Sequence, residues 1–247
     1  MSSAFERLHL PYLAQQATAL ADEARQHGWT YEAFLHQALA CEVQGRDQKA
    51  LARRRRAARL PMAKSLEAFD VAFQPSLSAH HLREWGSLTF VRSGTNLIFV
   101  GPPGTGKTHL SVALAARALE AGHTVLYATL AEFLVAMDTA SYPQLVRQRL
   151  RRYTTPELLV LDEIGYLTLT ADQAKHLFAL VTGRYERGAL ILTSNLAFGQ
   201  WGNLLGGDEV LATALLDRLL HHAEVVAING SSYRMKERTT GARSATT

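Results

Sequence analysis

Apolar positions recur every three or four residues through the start of the chain, the spacing of amphipathic helices. A first helix is predicted to end at Gly28, and a second is predicted to be capped by Thr30 and to continue toward Pro61. The positions carrying these patterns are Leu13, Ala17, Leu20 and Ala24 in the first helix and Tyr31, Leu35, Leu39 and Val43 in the second. We therefore expect a small N-terminal helical domain over residues 1–64. A connector over 65–96, with a short helix near 78–85, is expected to follow.

From residue 97 the pattern changes to short apolar runs that alternate with helical segments. The runs lie at 97–100, 124–128, 158–162, 189–193 and 224–228. Buried strands joined by crossover helices form parallel sheets covered by helices. The fold class is therefore α/β, with a five-stranded parallel sheet in a domain over residues 97–237. The polar tail at 238–247 is expected to be disordered.

Composition excludes several classes of protein. Of the 247 residues, 47% are apolar and 19% charged, which is typical of a chain with a core rather than a disordered one. Cys41 is the single cysteine, so no internal disulfide can form, and we expect it to be a small core residue. No apolar run approaches the roughly 18 residues of a membrane span, and no secretory leader pattern is present. These features predict a soluble cytoplasmic protein without a membrane partner.

The sharpest motif is a glycine-rich loop between the first predicted strand and a predicted helix. Its residues are Gly101, Pro102, Pro103, Gly104, Thr105, Gly106, Lys107 and Thr108, which match G-x-x-x-x-G-K-[ST]. Glycines let successive backbone N–H groups turn toward phosphate oxygens, and the helix adds its positive N-terminal end. Lys107 is expected to reach the β- and γ-phosphates, and the Thr108 hydroxyl to ligate Mg²⁺. The motif predicts that the chain binds a nucleoside triphosphate such as ATP.

Two carboxylates follow the apolar run at 158–161. Asp162 and Glu163 are thereby predicted at the C-terminal edge of a buried strand, where open α/β sheets bind their ligands. We expect Asp162 to hold Mg²⁺ and Glu163 to polarise the attacking water as a general base. A glutamate directly after the aspartate favours hydrolysis over nucleotide sensing.

Two further polar residues fit a role at the γ-phosphate. Asn195 follows the strand at 189–193 and can orient the lytic water, although an asparagine here can also simply cap a turn. Arg218 precedes the last strand and can reach the nucleotide of a neighbouring subunit, where such arginines accelerate transfer by about 10³–10⁵. The alternative for Arg218 is an ordinary arginine on the surface of a helix.

Positive charge is concentrated near the end of the N-terminal domain. Residues 46–64 carry a net charge of +7, while the whole chain carries +4. A helical stripe about 15 Å long at 1.5 Å per residue could contact several DNA phosphates without reading bases. The predicted DNA-binding residues are Arg46, Lys49, Arg53, Arg54, Arg55, Arg56 and Arg59. The alternative is a solvated charged helix, and a second cluster at Arg147, Arg149, Arg151 and Arg152 stays undecided between the same two interpretations.

Paired histidines at 80–81 and 221–222 invite a metal hypothesis. Consecutive residues on a helix diverge by about 100°, so neighbouring histidines should not converge on one ion. We therefore expect no structural metal site at either pair.

Several stretches resemble one family of nucleotide-dependent proteins. The order of the phosphate loop, acidic strand end, Asn195 and Arg218 is similar to that of AAA+ ATPases. A narrower resemblance, to the IstB-like helper ATPases of insertion sequences, covers about residues 5–237. The stretches that carry it are Arg59-Leu60-Pro61, Phe69-Asp70, Leu161-Asp162-Glu163-Ile164-Gly165-Tyr166, Arg184-Tyr185-Glu186, Thr193-Ser194-Asn195-Leu196, Trp201, Leu216-Asp217-Arg218-Leu219 and Gly230-Ser231-Ser232-Tyr233-Arg234.

The resemblance implies a partner-dependent machine with an AAA+-type P-loop fold. Such a protein would bind ATP and Mg²⁺, oligomerise on duplex DNA of any sequence and present it to a transposase, with hydrolysis regulating assembly. After the last strand, the 19 residues beyond Ile228 are too few for the usual C-terminal lid domain. Arg234 is then a candidate second sensor at the nucleotide.

Two other functions compete with this interpretation. A helicase loader of the DnaC type, which the sequence also resembles, would use ATP as a switch and bind single strands. A P-loop small-molecule kinase would leave the basic stripe and the Asn195–Arg218 pair unexplained.

Overall fold

The computed structural model describes residues 2–230, 232 and 233. The chain divides into two compact units, with the boundary between Arg56 and Ala57. The helices are α1 (Ser2–Arg7), α2 (Pro11–His27), α3 (Tyr31–Ala58), α4 (Ala79–Gly86), α5 (Thr89–Ser93), α6 (Lys107–Glu120), α7 (Leu130–Asp138), α8 (Pro143–Thr154), α9 (Ala171–Arg184), α10 (Trp201–Leu204) and α11 (Glu209–His221). The strands are β1 (Asn96–Val100), β2 (Val125–Thr129), β3 (Leu158–Ile164), β4 (Ala189–Ser194) and β5 (Ala223–Ala227).

The N-terminal unit consists of α1, α2 and most of α3. Gly28 ends α2 in the left-handed conformation at φ 61°, as the sequence predicts. The Thr30 hydroxyl accepts a hydrogen bond from the Ala33 N–H at 3.2 Å and so caps α3. The apolar side predicted for α3 is exposed in the structure, from 53% at Leu39 to 93% at Tyr31. Cys41 is half-buried rather than a full core residue.

A buried carboxylate joins α2 and α3. Glu42 accepts hydrogen bonds from the N–H groups of Tyr12 and Leu13, both at 2.9 Å, and thereby satisfies two free donors in the first turn of α2. Arg46 Nε donates to the other carboxylate oxygen of Glu42 at 2.8 Å. Glu42 can therefore remain charged although only 3% of it is exposed.

The second unit is built on a five-stranded sheet in the order β2-β3-β4-β1-β5, and every pair of neighbouring strands is parallel. All five strands predicted from the sequence are thereby confirmed. β4 lies between the strand that precedes the phosphate loop and the strand that carries the two carboxylates. The polar ends of β1, β3 and β4 consequently meet at one edge of the sheet.

Leucine-rich helices flank this sheet and complete the core. Every residue of β4 is buried, and along β3 only Glu163 is exposed. Threonines cap α7 and α9: Thr129 and Thr170 each accept a hydrogen bond from the N–H three residues on, while Glu132 and Gln173 bond back to the cap. Trp201, one of the residues that carry the family resemblance, is fully buried in the core cluster.

The predicted connector packs with the second unit. α4 confirms the short helix expected near 78–85. Its Trp85 donates a hydrogen bond to Glu224 Oε1 at 2.9 Å and packs edge-on against Phe99 of β1 with ring centres 5.4 Å apart. This region therefore supports the start of the sheet. The domain boundaries drawn at residues 64, 96 and 237 stay predictions, and the tail predicted to be disordered lies outside the described residues.

Candidate nucleotide-binding site

The glycine-rich loop lies directly between β1 and α6. The Gly101 N–H donates to the Ser194 carbonyl of β4 at 3.1 Å, which joins the start of the loop to the end of the neighbouring strand. Gly104 and Gly106 have φ of 82° and 97°, a region that side chains other than glycine rarely adopt. The tight path of the loop therefore requires the glycines of the motif. It also aims the first turn of α6 at the space enclosed by the loop, the phosphate cradle.

Lys107 folds over its own loop. Its ammonium group donates to the carbonyls of Gly101 and Pro102, at 2.6 Å each, and the residue is 9% exposed. Thr105 supports the same turn through a 2.9 Å hydrogen bond from its hydroxyl to the Pro102 carbonyl. The lysine is thus held at the cradle, where a phosphate oxygen can replace a carbonyl as its acceptor.

Asp162 is the centre of a hydrogen-bonded network of hydroxyl groups. It is 1% exposed, and its carboxylate accepts from Thr108 Oγ1 at 3.2 Å, from Tyr127 Oη at 2.7 Å and from Thr193 Oγ1. Thr108 belongs to the phosphate loop, so the structure brings together the two residues predicted to hold Mg²⁺. A threonine hydroxyl and a carboxylate are oxygen ligands of the kind Mg²⁺ prefers, and this pair fits the ion.

The buried position of Tyr127 beside Asp162 changes the pKa of its hydroxyl group. Burial and the hydrogen bond to Asp162 raise the pKa of Tyr127 far above its ordinary value, so it stays a donor. Neither Tyr127 nor Thr193 was singled out from the sequence as part of the site. Tyr127 stands two residues before Thr129, the β2 partner of Asp162, so Tyr127 and Asp162 share one face of the sheet. This register is a property of the structure that the sequence pattern does not reveal.

Glu163 is placed by an irregularity in β3. The register with β4 shifts between Leu161 and Ile164, and Glu163 has φ 66°, an uncommon conformation for a residue with a side chain. Its N–H donates to Thr193 Oγ1 at 3.0 Å, which holds this backbone in place. The bulge leaves the Glu163 side chain exposed at the edge of the sheet, beside the buried Asp162.

Asn195 lies next to the phosphate loop. It follows Ser194, whose carbonyl binds Gly101, and its own N–H donates to the Ile164 carbonyl at 3.3 Å. Its side-chain Oδ1 is buried and, within the part of the chain that the structure describes, has no hydrogen-bond partner. Buried acceptors are nearly always satisfied, so this oxygen is suited to a donor such as a water molecule.

Arg218 lies away from the loop of its own chain. Its Nη1 donates to the Ala214 carbonyl at 2.8 Å, and its guanidinium lies 4.8 Å from the centre of the Phe178 ring. The end of α11 is bonded to the first residue of β1, because Asn96 Nδ2 donates to the Leu219 carbonyl at 3.0 Å. The phosphate loop follows the last residue of β1, about 13 Å further along a strand that rises about 3.3 Å per residue. The structure therefore does not bring Arg218 together with the other predicted site residues.

Two stretches outside the predicted loop close around it. Phe69 lies edge-on to the His109 ring with centres 5.4 Å apart, and a Cβ on Gly106 would be 2.7 Å from its ring. The Tyr233 N–H donates to the Gly104 carbonyl at 2.9 Å, and the Tyr233 ring meets Phe73 at 5.3 Å. Both stretches carried the family resemblance, but apart from Arg234, the predicted second sensor, nothing in the sequence placed them at the loop. Arg234 lies outside the described residues.

The predicted DNA-binding residues lie on α3, apart from Arg59, which directly follows it. Arg46 is engaged in its own unit, through Glu42 and the His9 carbonyl. Lys49, Arg53, Arg55, Arg56 and Arg59 are exposed, and Arg54 is half-buried. In the second cluster, on α8, Arg149 donates to the Ala136 carbonyl and to Thr139 Oγ1. Arg46 in the first basic cluster and Arg149 in the second thus already contact other residues of the chain.

The fold and the site together define an AAA+-type P-loop nucleotide-binding protein. Solved structures share this fold. DnaI has a TM-score of 0.57 and 20% identity, and the match covers 71% of this chain and 94% of DnaI. The DnaC helicase loader has a TM-score of 0.51 and 21% identity, and the match covers 67% of this chain and 96% of that chain. DnaA from Aquifex aeolicus with AMPPCP bound matches at 0.53 and 22%, over 73% of this chain and 55% of that one. None of the described helices has the length and hydrophobicity needed to cross a lipid bilayer.

The sequence comparison narrows this class to one family. The family model of IstB-like ATP binding proteins matches residues 3–241. The IS21 ATP-binding protein of Pseudomonas aeruginosa is 42% identical over 94% of this chain and 87% of its own length. The IS5376 ATP-binding protein of Geobacillus stearothermophilus is 37% identical over 94% of this chain and 92% of its own length. The chain belongs to the IstB-like ATP-binding proteins, which confirms the resemblance seen in its motifs.

Proposed function

We propose that this protein is an ATPase that assembles on duplex target DNA and delivers it to the transposase of an IS21-type insertion sequence. The observation that carries the ATPase part is the pairing of a buried Asp162, bonded to Thr108 of the phosphate loop, with an exposed Glu163 beside it. Membership of a family of insertion-sequence ATP-binding proteins supports the transposition part.

Each residue of the site then has a distinct task. Thr108 and Asp162 would hold Mg²⁺, which when bound neutralises charge on the β- and γ-phosphates. Lys107 would contact the same phosphates, with the backbone N–H groups of Gly101–Thr108 around them. Glu163 would take the proton of the attacking water, and Asn195 would orient that water through its unpaired Oδ1. Arg234 is kept as a candidate second sensor.

Arg218 is proposed to act on the nucleotide of a neighbouring subunit. It lies at the end of α11 that is bonded to the start of β1, so its own phosphate loop is at the opposite edge of the sheet. An arginine in this position can complete only a site that another subunit presents. This placement supports an ATP-dependent homo-oligomer with weak activity in the isolated subunit.

Duplex DNA is the proposed nucleic-acid partner. The exposed residues Lys49, Arg53 and Arg56 belong to the predicted basic stripe along α3, which suits contacts with the phosphates of DNA of any sequence. We assign the contacts to the predicted residues Arg46, Lys49, Arg53, Arg54, Arg55, Arg56 and Arg59, of which Arg46 also donates to Glu42. The helical domain of residues 1–64 would thus hold DNA, and the ATPase domain of residues 97–237 would control its release.

The proposal is tested by measuring ATP turnover and particle size with no DNA, with single strands and with duplex of scrambled sequence. We expect turnover and large assemblies that depend on both ATP and duplex. Glu163→Gln should bind ATP, stop turning it over and accumulate long-lived assemblies on DNA. The control, Glu120→Gln, changes an exposed carboxylate at the far end of α6 and should behave as wild type. Normal turnover by Glu163→Gln would remove the general-base assignment.

A helicase loader is the second candidate, because the fold is also that of DnaC and DnaI. Preference for single strands, with small particles indifferent to duplex, would favour it.

Replacing Arg53 to Arg56 by glutamine should weaken binding evenly across DNA sequences and flatten its dependence on salt. An unchanged salt dependence would identify α3 as a solvated charged helix.

A further inference from the structure

Three metal-ligating side chains converge at the edge of the sheet away from the phosphate loop. Glu186 lies in the turn after α9, His221 is the last residue of α11, and His222 lies between α11 and β5. The His222 carbonyl accepts a hydrogen bond from the Asn96 N–H at 2.7 Å, which ties this turn to β1. All three side chains are exposed, and the proposed ATPase function uses none of them.

The expectation that these histidines diverge is wrong, because only His221 belongs to the helix. His222 ends α11 with φ −125° and ψ 63°, and this break turns its ring back toward its neighbour. The two ring centres are 4.2 Å apart as a result. The other pair, His80 and His81 within α4, has ring centres 6.4 Å apart. Glu186, at φ 56°, brings its carboxylate to the same place from the other side.

The donor set and its spacing suit a divalent transition-metal ion. One ligand atom from each of the three residues lies within 4.8 Å of the other two, and His222 Nε2 is 3.4 Å from Glu186 Oε1. Ligands at about 2.0–2.1 Å around a tetrahedral ion are separated by about 3.3 Å. One pair already has that separation, and exposed side chains can close the remainder by small rotations. Two imidazoles and a carboxylate form a donor set found at zinc sites.

A neighbouring tyrosine holds one of the rings. Tyr185 Oη lies 2.5 Å from His221 Nδ1, and the two rings stack with centres 5.8 Å apart and planes 16° from parallel. Metal-binding histidines commonly use one ring nitrogen for such an outer partner, which fixes the orientation of the ring. With Nδ1 engaged, Nε2 of His221 is the nitrogen that remains for an ion.

We propose that Glu186, His221 and His222 form a binding site for one divalent transition-metal ion of the zinc class. A bound ion would join the turn after α9 to the end of α11. Arg218 lies only three residues before His221, so the ion would fix the end of the helix that carries it.

The test is calorimetric titration of the untagged full-length chain with Zn²⁺, in excess Mg²⁺ so that the Asp162 site does not contribute. We expect one Zn²⁺ per chain in wild type and binding at least about tenfold weaker in His222→Gln and in Glu186→Gln. The matched control is His80→Gln, which removes an exposed histidine whose Nε2 lies 3.7 Å from Glu84. It should bind as wild type.

Melting temperatures provide a second readout that separates binding from folding. Zn²⁺ should raise the melting temperature of wild type and of His80→Gln, and should not raise that of His222→Gln. Because the replaced side chains are exposed, all variants should melt together when no Zn²⁺ is present. Wild-type Zn²⁺ affinity in both His222→Gln and Glu186→Gln, or an equal loss in His80→Gln, would overturn the proposal. Neither result depends on ATP turnover.

Discussion

Tyr127→Phe removes a single hydroxyl group from the network around Asp162 and leaves the ring in place. That hydroxyl donates to Asp162 Oδ2 at 2.7 Å, and the ring is 7% exposed. In the absence of Mg²⁺ the carboxylate also has Thr108 and Thr193 as donors. If Thr108 binds the proposed Mg²⁺, Tyr127 and Thr193 would be the donors that still orient Asp162. The missing hydroxyl should therefore matter more with the ion bound than without it.

The size of the effect follows from the charge on the acceptor. A hydrogen bond to a charged group contributes about 1.5–3 kcal/mol, or roughly 10- to 150-fold in an equilibrium constant. Loss of a partner that orients a metal ligand typically costs 10- to 100-fold in affinity or activity. We therefore expect the Mg²⁺ concentration for half-maximal ATP turnover to rise about 10- to 100-fold. Nucleotide affinity measured without Mg²⁺ should stay within about twofold of wild type, because Tyr127 acts only through Asp162.

The assay is ATP turnover across a Mg²⁺ titration at saturating ATP. Tyr153→Phe is the matched control: it makes the same change at another buried tyrosine, 5% exposed, whose ring packs edge-on against Phe133. It should leave the Mg²⁺ dependence unchanged. If Tyr127→Phe folds, turns over ATP and shows the Mg²⁺ dependence of wild type, the hydroxyl has no part in positioning Asp162.

Three further predictions concern other parts of the chain. Arg184 is buried and donates to the carbonyls of Tyr153, Pro156, Glu157 and Ala189; Arg184→Met should lower the free energy of unfolding by about 3 kcal/mol or more in urea, and the exposed Arg187→Met by little. A Cβ on Gly104 would overlap Ser232, whereas Gly122, also at positive φ, has open space around it. Gly104→Ala and Gly122→Ala should each lower the free energy of unfolding by about 1–2 kcal/mol, but only Gly104→Ala should also bind ATP more weakly. Burial raises the pKa of Glu42, but Arg46 and two backbone N–H groups outweigh burial and hold that pKa below its ordinary value. The wild-type protein should therefore have a larger free energy of unfolding than Glu42→Gln at neutral pH, and this difference should disappear as acid titrates the carboxylate. Urea unfolding at several pH values measures it.

The parts of the site that could be predicted from the sequence are those built from neighbouring residues. The phosphate loop is a local turn whose glycines, lysine and threonine are consecutive, and the carboxylates directly follow an apolar run. Tyr127 was missed because its importance lies in a hydrogen bond to a residue 35 positions away. Arg184 was likewise visible in the sequence only as part of a family motif. In the structure it donates hydrogen bonds to four carbonyls, and this arrangement depends on three separate chain segments. Contacts of this kind follow from strand order and register, which periodicity does not reveal.

The two acidic residues of β3 show how little sequence separation is needed to create opposite environments. In an unbroken strand packed on both faces, Asp162 and Glu163 would point to opposite sides and both would be covered by helices. The bulge between Leu161 and Ile164 instead leaves Glu163 exposed, with Thr193 bonded to its N–H. The same threonine hydroxyl donates to the buried Asp162 carboxylate. One side chain of β4 thus fixes both the unusual backbone of Glu163 and the orientation of Asp162. A change at Thr193 should consequently disturb metal binding and water activation together, although it carries neither charge nor nucleophile.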